Sequence, residues 1–116
     1  MKVGSIVIHC YEFDKMLAFW REALHYVPRE PPEDNWVVLC DPTGSGPNLS
    51  LDRVPKRRSR KSNKLHLDLY ATNQRAEVER LMELGAKPFP WKYKPGDDFI
   101  KLADPDGNHF CVVQKP

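Results

Sequence analysis

Two turn signatures, one in each half of the chain, constrain the fold more than any other feature. Asp104-Pro105-Asp106-Gly107 lies between two alternating segments, Phe99 to Ala103 and His109 to Gln114, and Asp41-Pro42-Thr43-Gly44 lies between Val37 to Cys40 and Leu49 to Arg53. Proline fixes φ and glycine tolerates positive φ, so each signature folds its flanking segments back as a hairpin. A chain that writes the same hairpin twice reads as one module duplicated.

The segments preceding each hairpin match as well. Val3 to Cys10 alternates, with Ile6, Ile8 and Cys10 on one side and Ser5, Val7 and His9 on the other, the period of a strand. Met16, Leu17, Trp20 and Leu24 then recur at helical spacing after Asp14, which reads as the N-cap. Prolines 28, 31 and 32 leave room only for a short edge strand near Tyr26 to Arg29. In the second half Leu65 to Tyr70 alternates, Thr72 or Asn73 caps a helix with the stripe Val78, Leu81 and Met82, and Gly85 suits the left-handed C-cap where the first half has His25. Ala86 to Pro90 reads as a short strand and Lys94 to Asp98 as a turn. Each half is therefore strand, helix, strand, strand, strand. The expected class is α+β, two βαβββ modules forming curved mixed sheets around a cleft with helices outside. Residues 1–116 form one domain, with module one about 1–55, a basic linker about 56–64 and module two about 65–116.

Composition agrees with a single globular domain. The 116 residues are 41% hydrophobic and 29% charged, and no apolar run approaches the ~20 residues that span a bilayer. The first residues lack a long apolar signal core, and Cys10, Cys40 and Cys111 are odd in number and far apart, so reduced thiols in a cytoplasm are expected. The net charge of +2 hides a concentration of Lys56, Arg57, Arg58, Arg60, Lys61 and Lys64 in the linker. Such a run tracks phosphates, but no aromatic residue interleaves with it, so the stacking part of single-strand recognition is missing and nucleic acid is not the favoured partner.

Alternation sorts the strand residues onto two faces. Ile6, Ile8, Val37, Leu39, Leu49, Leu51, Leu65, Leu67, Leu69, Ile100, Leu102, Phe110 and Val112 form the aliphatic set that faces the helices. The opposite set holds Ser5, His9, Trp36, Ser50, Asp52, His66, Asp68, Tyr70, Phe99, Lys101, His109 and Cys111. Unpaired polar groups cost about 1 to 3 kcal/mol each when buried dry, so this second face is expected to line a wet concavity that holds a small ligand. Within it, Trp36, Phe99 and Tyr70 supply apolar walls, with His9, Asp52 and Cys111 as further contacts. Asp68, two residues from His66 on one strand, is placed to set that imidazole's tautomer or pKa. His109, beside a hairpin, reads as a surface residue, and Trp91, in a Pro-rich loop, reads either as a lid or as packing over the sheet edge.

The duplicated strand-helix-three-strand unit, a histidine opening the fifth strand and the closing Asp-Pro-Asp-Gly-Asn hairpin resemble the glyoxalase, bleomycin-resistance and dioxygenase superfamily, the vicinal oxygen chelate proteins. The tags are Leu17-Ala-Phe-Trp20, Asp52-Arg-Val-Pro55, Leu65-His-Leu-Asp-Leu69 and Ala103-Asp-Pro-Asp-Gly-Asn-His-Phe-Cys-Val112, and they are closest to the small glyoxalase-like domains. The resemblance implies a cup with a divalent ion held from the first, fifth and eighth strands and often the fourth. His66 matches the fifth-strand ligand, whereas the first-strand position falls on Ser5 and the eighth-strand glutamate on Cys111. Ordinary glyoxalase I activity is therefore not expected, and no bound metal is expected. If one is held, the donors are His66, Cys111 and His9, and zinc is the ion they suit. The resemblance also implies a homodimer.

The leading expectation is a glyoxalase-like protein that binds a small organic molecule in its cup, with proton transfer next to a carbonyl as the chemistry its residues offer. His66, Asp68 and Lys101 are the candidate catalytic residues, Lys101 stabilising an enolate-like oxygen. As an enzyme it would be lyase- or isomerase-like, or dioxygenase-like. The alternative is sequestration without turnover, as in the bleomycin-resistance branch, and a third reading is a nucleic-acid-associated module acting through the basic linker.

Overall fold

The computed structural model describes residues 3–56 and 66–116, so the linker from Arg57 onward and Leu65 lie outside the described residues. The chain divides into two compact units, Met1–Arg58 and Ser59–Pro116. The first contains β1 (Ile6–Cys10), α1 (Phe13–Leu24), β2 (Val27–Pro28), β3 (Trp36–Cys40) and β4 (Leu49–Arg53). The second contains β5 (Asp68–Ala71), α2 (Gln74–Glu83), β6 (Lys87–Pro88), β7 (Phe99–Ala103) and β8 (His109–Gln114). Each is a four-stranded mixed sheet with one helix, in the orders β1-β4-β3-β2 and β5-β8-β7-β6. The expected pair of βαβββ modules is therefore present. In each, the first and last strands pair in parallel and the other contacts are antiparallel. No helix among the described residues is long and apolar enough to cross a membrane.

Register carries the face assignment into three dimensions. Ile8 pairs with Leu51 and Leu51 with Val37, while His9 pairs with Asp52 and Asp52 with Trp36. In the second unit Leu69 pairs with Val112 and Val112 with Ile100, while Asp68 pairs with Cys111 and Cys111 with Lys101. Directly paired residues point the same way, so the aliphatic and polar sets separate as alternation requires. Val37, Leu39, Leu49 and Leu51 are buried in the first sheet, and Leu102, Phe110 and Val112 in the second. The helices pack on the last strand of their own unit, α1 on β4 and α2 on β8.

The helix ends depart from expectation in one respect. Helix α1 begins at Phe13 with Glu12 at the cap position and no side-chain cap, and Asp14 lies in its first turn. There the carboxylate meets the positive end of the helix rather than a backbone N–H. Asn73 does cap α2, its side chain accepting from the Ala76 N–H. At the other end the Gly85 N–H donates to the Met82 carbonyl and the Ala86 N–H to that of Leu81, with Gly85 at φ +121°. This is a Schellman closure. His25 takes the matching position after α1 at φ 56°, with the Tyr26 N–H donating to the Arg21 carbonyl. Two helices thus end in the same way, one with glycine and one with a side chain in the left-handed region.

The two hairpins are held by their aspartates. Oδ1 of Asp104 accepts from the N–H groups of Asp106 and Asn108, and Oδ2 from the Asn108 amide, while the residue itself is buried. Asp41 accepts from both the N–H and the hydroxyl of Thr43 at 2.8 Å, and these bonds, the backbone one foremost, hold its carboxyl below the usual carboxylate range. Asp104 therefore fixes the register of β7 against β8.

Candidate functional site

The polar face of the second sheet gathers the larger share of the reactive side chains. Strand register places Asp68, Cys111 and Lys101 in one row across β5, β8 and β7. His66 lies just before β5, and its Nε2 is 3.3 Å from Oδ1 of Asp68, both side chains being about half exposed. That contact engages Nε2 and leaves Nδ1 as the ring nitrogen the carboxylate does not meet. Cys111 is buried, and burial, then the neighbouring Asp68, pushes its thiol above its ordinary pKa against the opposing pull of Lys101. It is a protonated thiol at neutral pH, a weak donor rather than a nucleophile.

His109 corrects the reading of it as a surface residue. It is half-buried, its ring stacked on His66 at 5.7 Å and tilted against Phe89 at 5.0 Å. Its Nδ1 is buried and has no hydrogen-bond partner among the described residues. Burial first, then Lys101 and His66, lowers its pKa, so His109 is held neutral. The alternation of β8 placed it on the polar face; its nearness to a turn was the misleading signal.

Lys101 meets a wall of rings that sequence reasoning left largely unnamed. Its Nζ lies 3.7 Å from the Trp91 ring centroid and 5.7 Å from that of Phe89. The Tyr93 hydroxyl accepts from the Lys101 N–H at 2.8 Å, and the Phe89 N–H donates to the Lys101 carbonyl. Tyr93 in turn tilts against Phe99, with centroids 5.7 Å apart. Trp91 thus covers Lys101 on the sheet face. The signal was available, because Phe89, Trp91 and Tyr93 alternate between prolines at strand spacing. Tyr70 is on the same face but highly exposed, its ring under the Lys115 ammonium at 4.8 Å.

The remaining candidates belong to the first unit. His9 Nε2 is 3.6 Å from Oδ2 of Asp52, and Trp36 is half-buried beside Asp52 in register. Deeper on that face the hydroxyls of Ser5 and Ser50 are hydrogen-bonded, with Ser50 buried. This face offers one histidine-carboxylate pair among aliphatic neighbours, Val7 and Val38.

A metal can be weighed against these donors. His66, Asp68 and Cys111 each offer an atom within 4.8 Å of the others. Imidazole, carboxylate and thiolate in that number suit zinc with an open position, whereas magnesium and manganese prefer oxygen throughout. These three donors all lie in the second unit. His9, the other expected donor, lies in the first unit 3.6 Å from Asp52.

The glyoxalase-like domain family matches residues 5–113. No curated protein matches the sequence. Among solved structures, a glyoxalase/bleomycin resistance protein/dioxygenase family enzyme from Burkholderia phytofirmans is 14% identical with a TM-score of 0.76, covering 98% of each chain. A glyoxalase-related enzyme from Fulvimarina pelagi is 17% identical with a TM-score of 0.75, over 99% of this chain and 88% of that one. The bleomycin-binding protein from bleomycin-producing Streptomyces verticillus, solved with copper(II)-bleomycin, is 13% identical with a TM-score of 0.65, over 100% and 98%. At these identities the likeness is one of fold. With the family match running through both modules, from Ser5 just before β1 to Val113 on β8, the chain belongs to the glyoxalase-like domain family.

Proposed function

We propose that the polar face of the second module binds a small carbonyl compound and moves a proton at the carbon next to the carbonyl. The observation that carries this is the row Asp68, Cys111, Lys101, with His66 held 3.3 Å from Asp68. In the reaction, Nδ1 of His66 takes the proton, the C–H electron pair moves into the carbonyl to give an enolate, and the Lys101 ammonium stabilises the oxygen. Return of the proton to a different atom gives the isomer, so neither oxidant nor reductant is needed. Asp68, 3.3 Å away, orients the imidazole. Cys111, a neutral thiol, fills the row without adding charge. Phe99 and Tyr70 flank the row on the same face, whereas His9, Asp52 and Trp36 serve the first sheet's own polar face.

If zinc is held, His66, Asp68 and Cys111 are the residues that would hold it. It would then supply Lewis-acid polarisation of the carbonyl. A cytoplasmic homodimer is part of this reading. Three cysteines, none of them in a disulfide, support the compartment, and native mass spectrometry tests the dimer.

The deciding measurement is deuterium uptake from D2O at the carbon beside the carbonyl, followed by NMR over a panel of 2-oxo acids and hydroxyketones. Wild-type protein is expected to accelerate exchange on at least one member, with His66→Ala lowering the rate about 10²- to 10⁴-fold, the usual worth of a general base. Saturable binding with no exchange by wild type would replace this reading with sequestration.

A further inference from the structure

Lys101 is a cation whose side chain has a ring face for company and no anion. Its backbone is held on both sides by the segment between β6 and β7, through the Phe89 N–H and the Tyr93 hydroxyl. That leaves the ammonium over Trp91 at 3.7 Å, and among the described residues no carboxylate forms an ion pair with it. Packing alone does not account for the rings around it, because Trp91 and Tyr93 are 49% and 45% exposed. An exposed cation–π contact is a weak interaction, whereas a charge-assisted hydrogen bond to a carboxylate is a strong one, so an incoming anion gains more from Lys101 than it displaces.

We propose that Lys101, Trp91 and Tyr93 form a binding site for planar aromatic carboxylates, the carboxylate meeting the ammonium and the ring lying against the exposed indole and phenol. This deepens the proposed function, and rests on its reading of the face as a ligand site, by naming the substrate class: an aromatic acid.

The probe is trans-cinnamate, which has no exchangeable carbon proton next to a ketone, with cinnamyl alcohol as its uncharged counterpart. Binding is read by titration calorimetry and by NMR line broadening of the probe. Wild type is expected to bind cinnamate at least tenfold more tightly than the alcohol and to lose that margin in Lys101→Met. Lys101→Arg should retain it, and Trp91→Leu should weaken both probes. Unchanged thermal midpoints in the variants show that the fold persists. Equal affinity for acid and alcohol, no cinnamate binding by wild type, or full binding by Lys101→Met each overturns the proposal. Because cinnamate reports binding alone, its failure with proton exchange intact sinks the aromatic-acid site only. Cinnamate binding without exchange on any keto acid sinks the proton-transfer reading only.

Discussion

The first module builds its core from both its helix and its sheet, the second mainly from its sheet. Helix α1 buries Phe13, Met16, Phe19, Trp20 and Ala23, with Phe19 and Trp20 in edge-to-face contact, whereas α2 buries only Leu81 and exposes Met82. In the second module bulk is supplied from the strands by Leu102, Phe110, Val112 and Val113. The polar faces divide in the opposite sense. The first carries a single His9–Asp52 pair, and the second carries two histidines, a carboxylate, a thiol and a ring-covered lysine. One topology repeated within one chain therefore tolerates very different distributions of apolar area, as long as each sheet keeps one face aliphatic. Freedom on the other face is where the halves acquire different chemistry.

The sharpest break of this comparison is by metal. Whatever zinc the metal-free protein takes up on titration should be lost in Cys111→Ser and Asp68→Asn and kept in His9→Ala. Loss on changing His9 would mean that the site is not the second module's own. Next in size is the core. Trp20→Ala should cost about 3 to 5 kcal/mol, and Val78→Ala, at a half-buried position on α2, about 1 kcal/mol. Urea midpoints measure both, and equal losses would erase the contrast between the helices.

A smaller effect lies at the helix ends, where adding and removing a side chain at positive φ should have opposite signs. Gly85→Ala forces a side chain to positive φ and is expected to cost about 1 to 2 kcal/mol, although the new Cβ would meet Pro105 at an ordinary 3.7 Å. His25→Gly removes that strain at the cost of chain entropy and should gain about 0.5 kcal/mol. The smallest effect is one of pH. His109 has a folded pKa below its ordinary 6.5, so between those values the unfolded chain binds more protons, and stability rises with pH across that window. As pH falls through 6.5 the wild type should lose stability that His109→Phe keeps, read as a flatter dependence of the thermal midpoint on pH.

Much of this was legible in the chain. Alternation in strands of four to six residues has a period of two and a simple reading, which is why Asp68, Cys111 and Lys101 could be assigned to one face before their row was known. Helix stripes were harder. Phe13, Phe19 and Ala23 are buried while Leu17 and Leu24 are only half-buried, because a core of large rings rotates the buried arc away from the most aliphatic positions. Contacts made by irregular chain were only partly legible. The alternation of Phe89, Trp91 and Tyr93 is visible in the sequence, but their segment forms no strand beyond β6, and its placement beside Lys101 rests on the Phe89 N–H and the Tyr93 hydroxyl. The ends of α2 and β8 are tied by Gln74, whose side-chain amide donates to the carbonyls of Val112 and Asp98, and glutamine has no positional preference that announces such a tie.

The buried carboxylate of Asp104 has a consequence for insertions and deletions. Because strand residues alternate, β7 and β8 have a parity, and Asp104 sets it by grasping the backbone of both Asp106 and Asn108. One residue added between Asn108 and His109 would turn Cys111 towards the helix and Val112 towards the polar face, erasing the row while leaving the amino-acid content of the strand unchanged. Two added residues would restore the parity and lengthen only the loop. Indels here should therefore be tolerated in pairs, with single-residue changes losing function far out of proportion to their size.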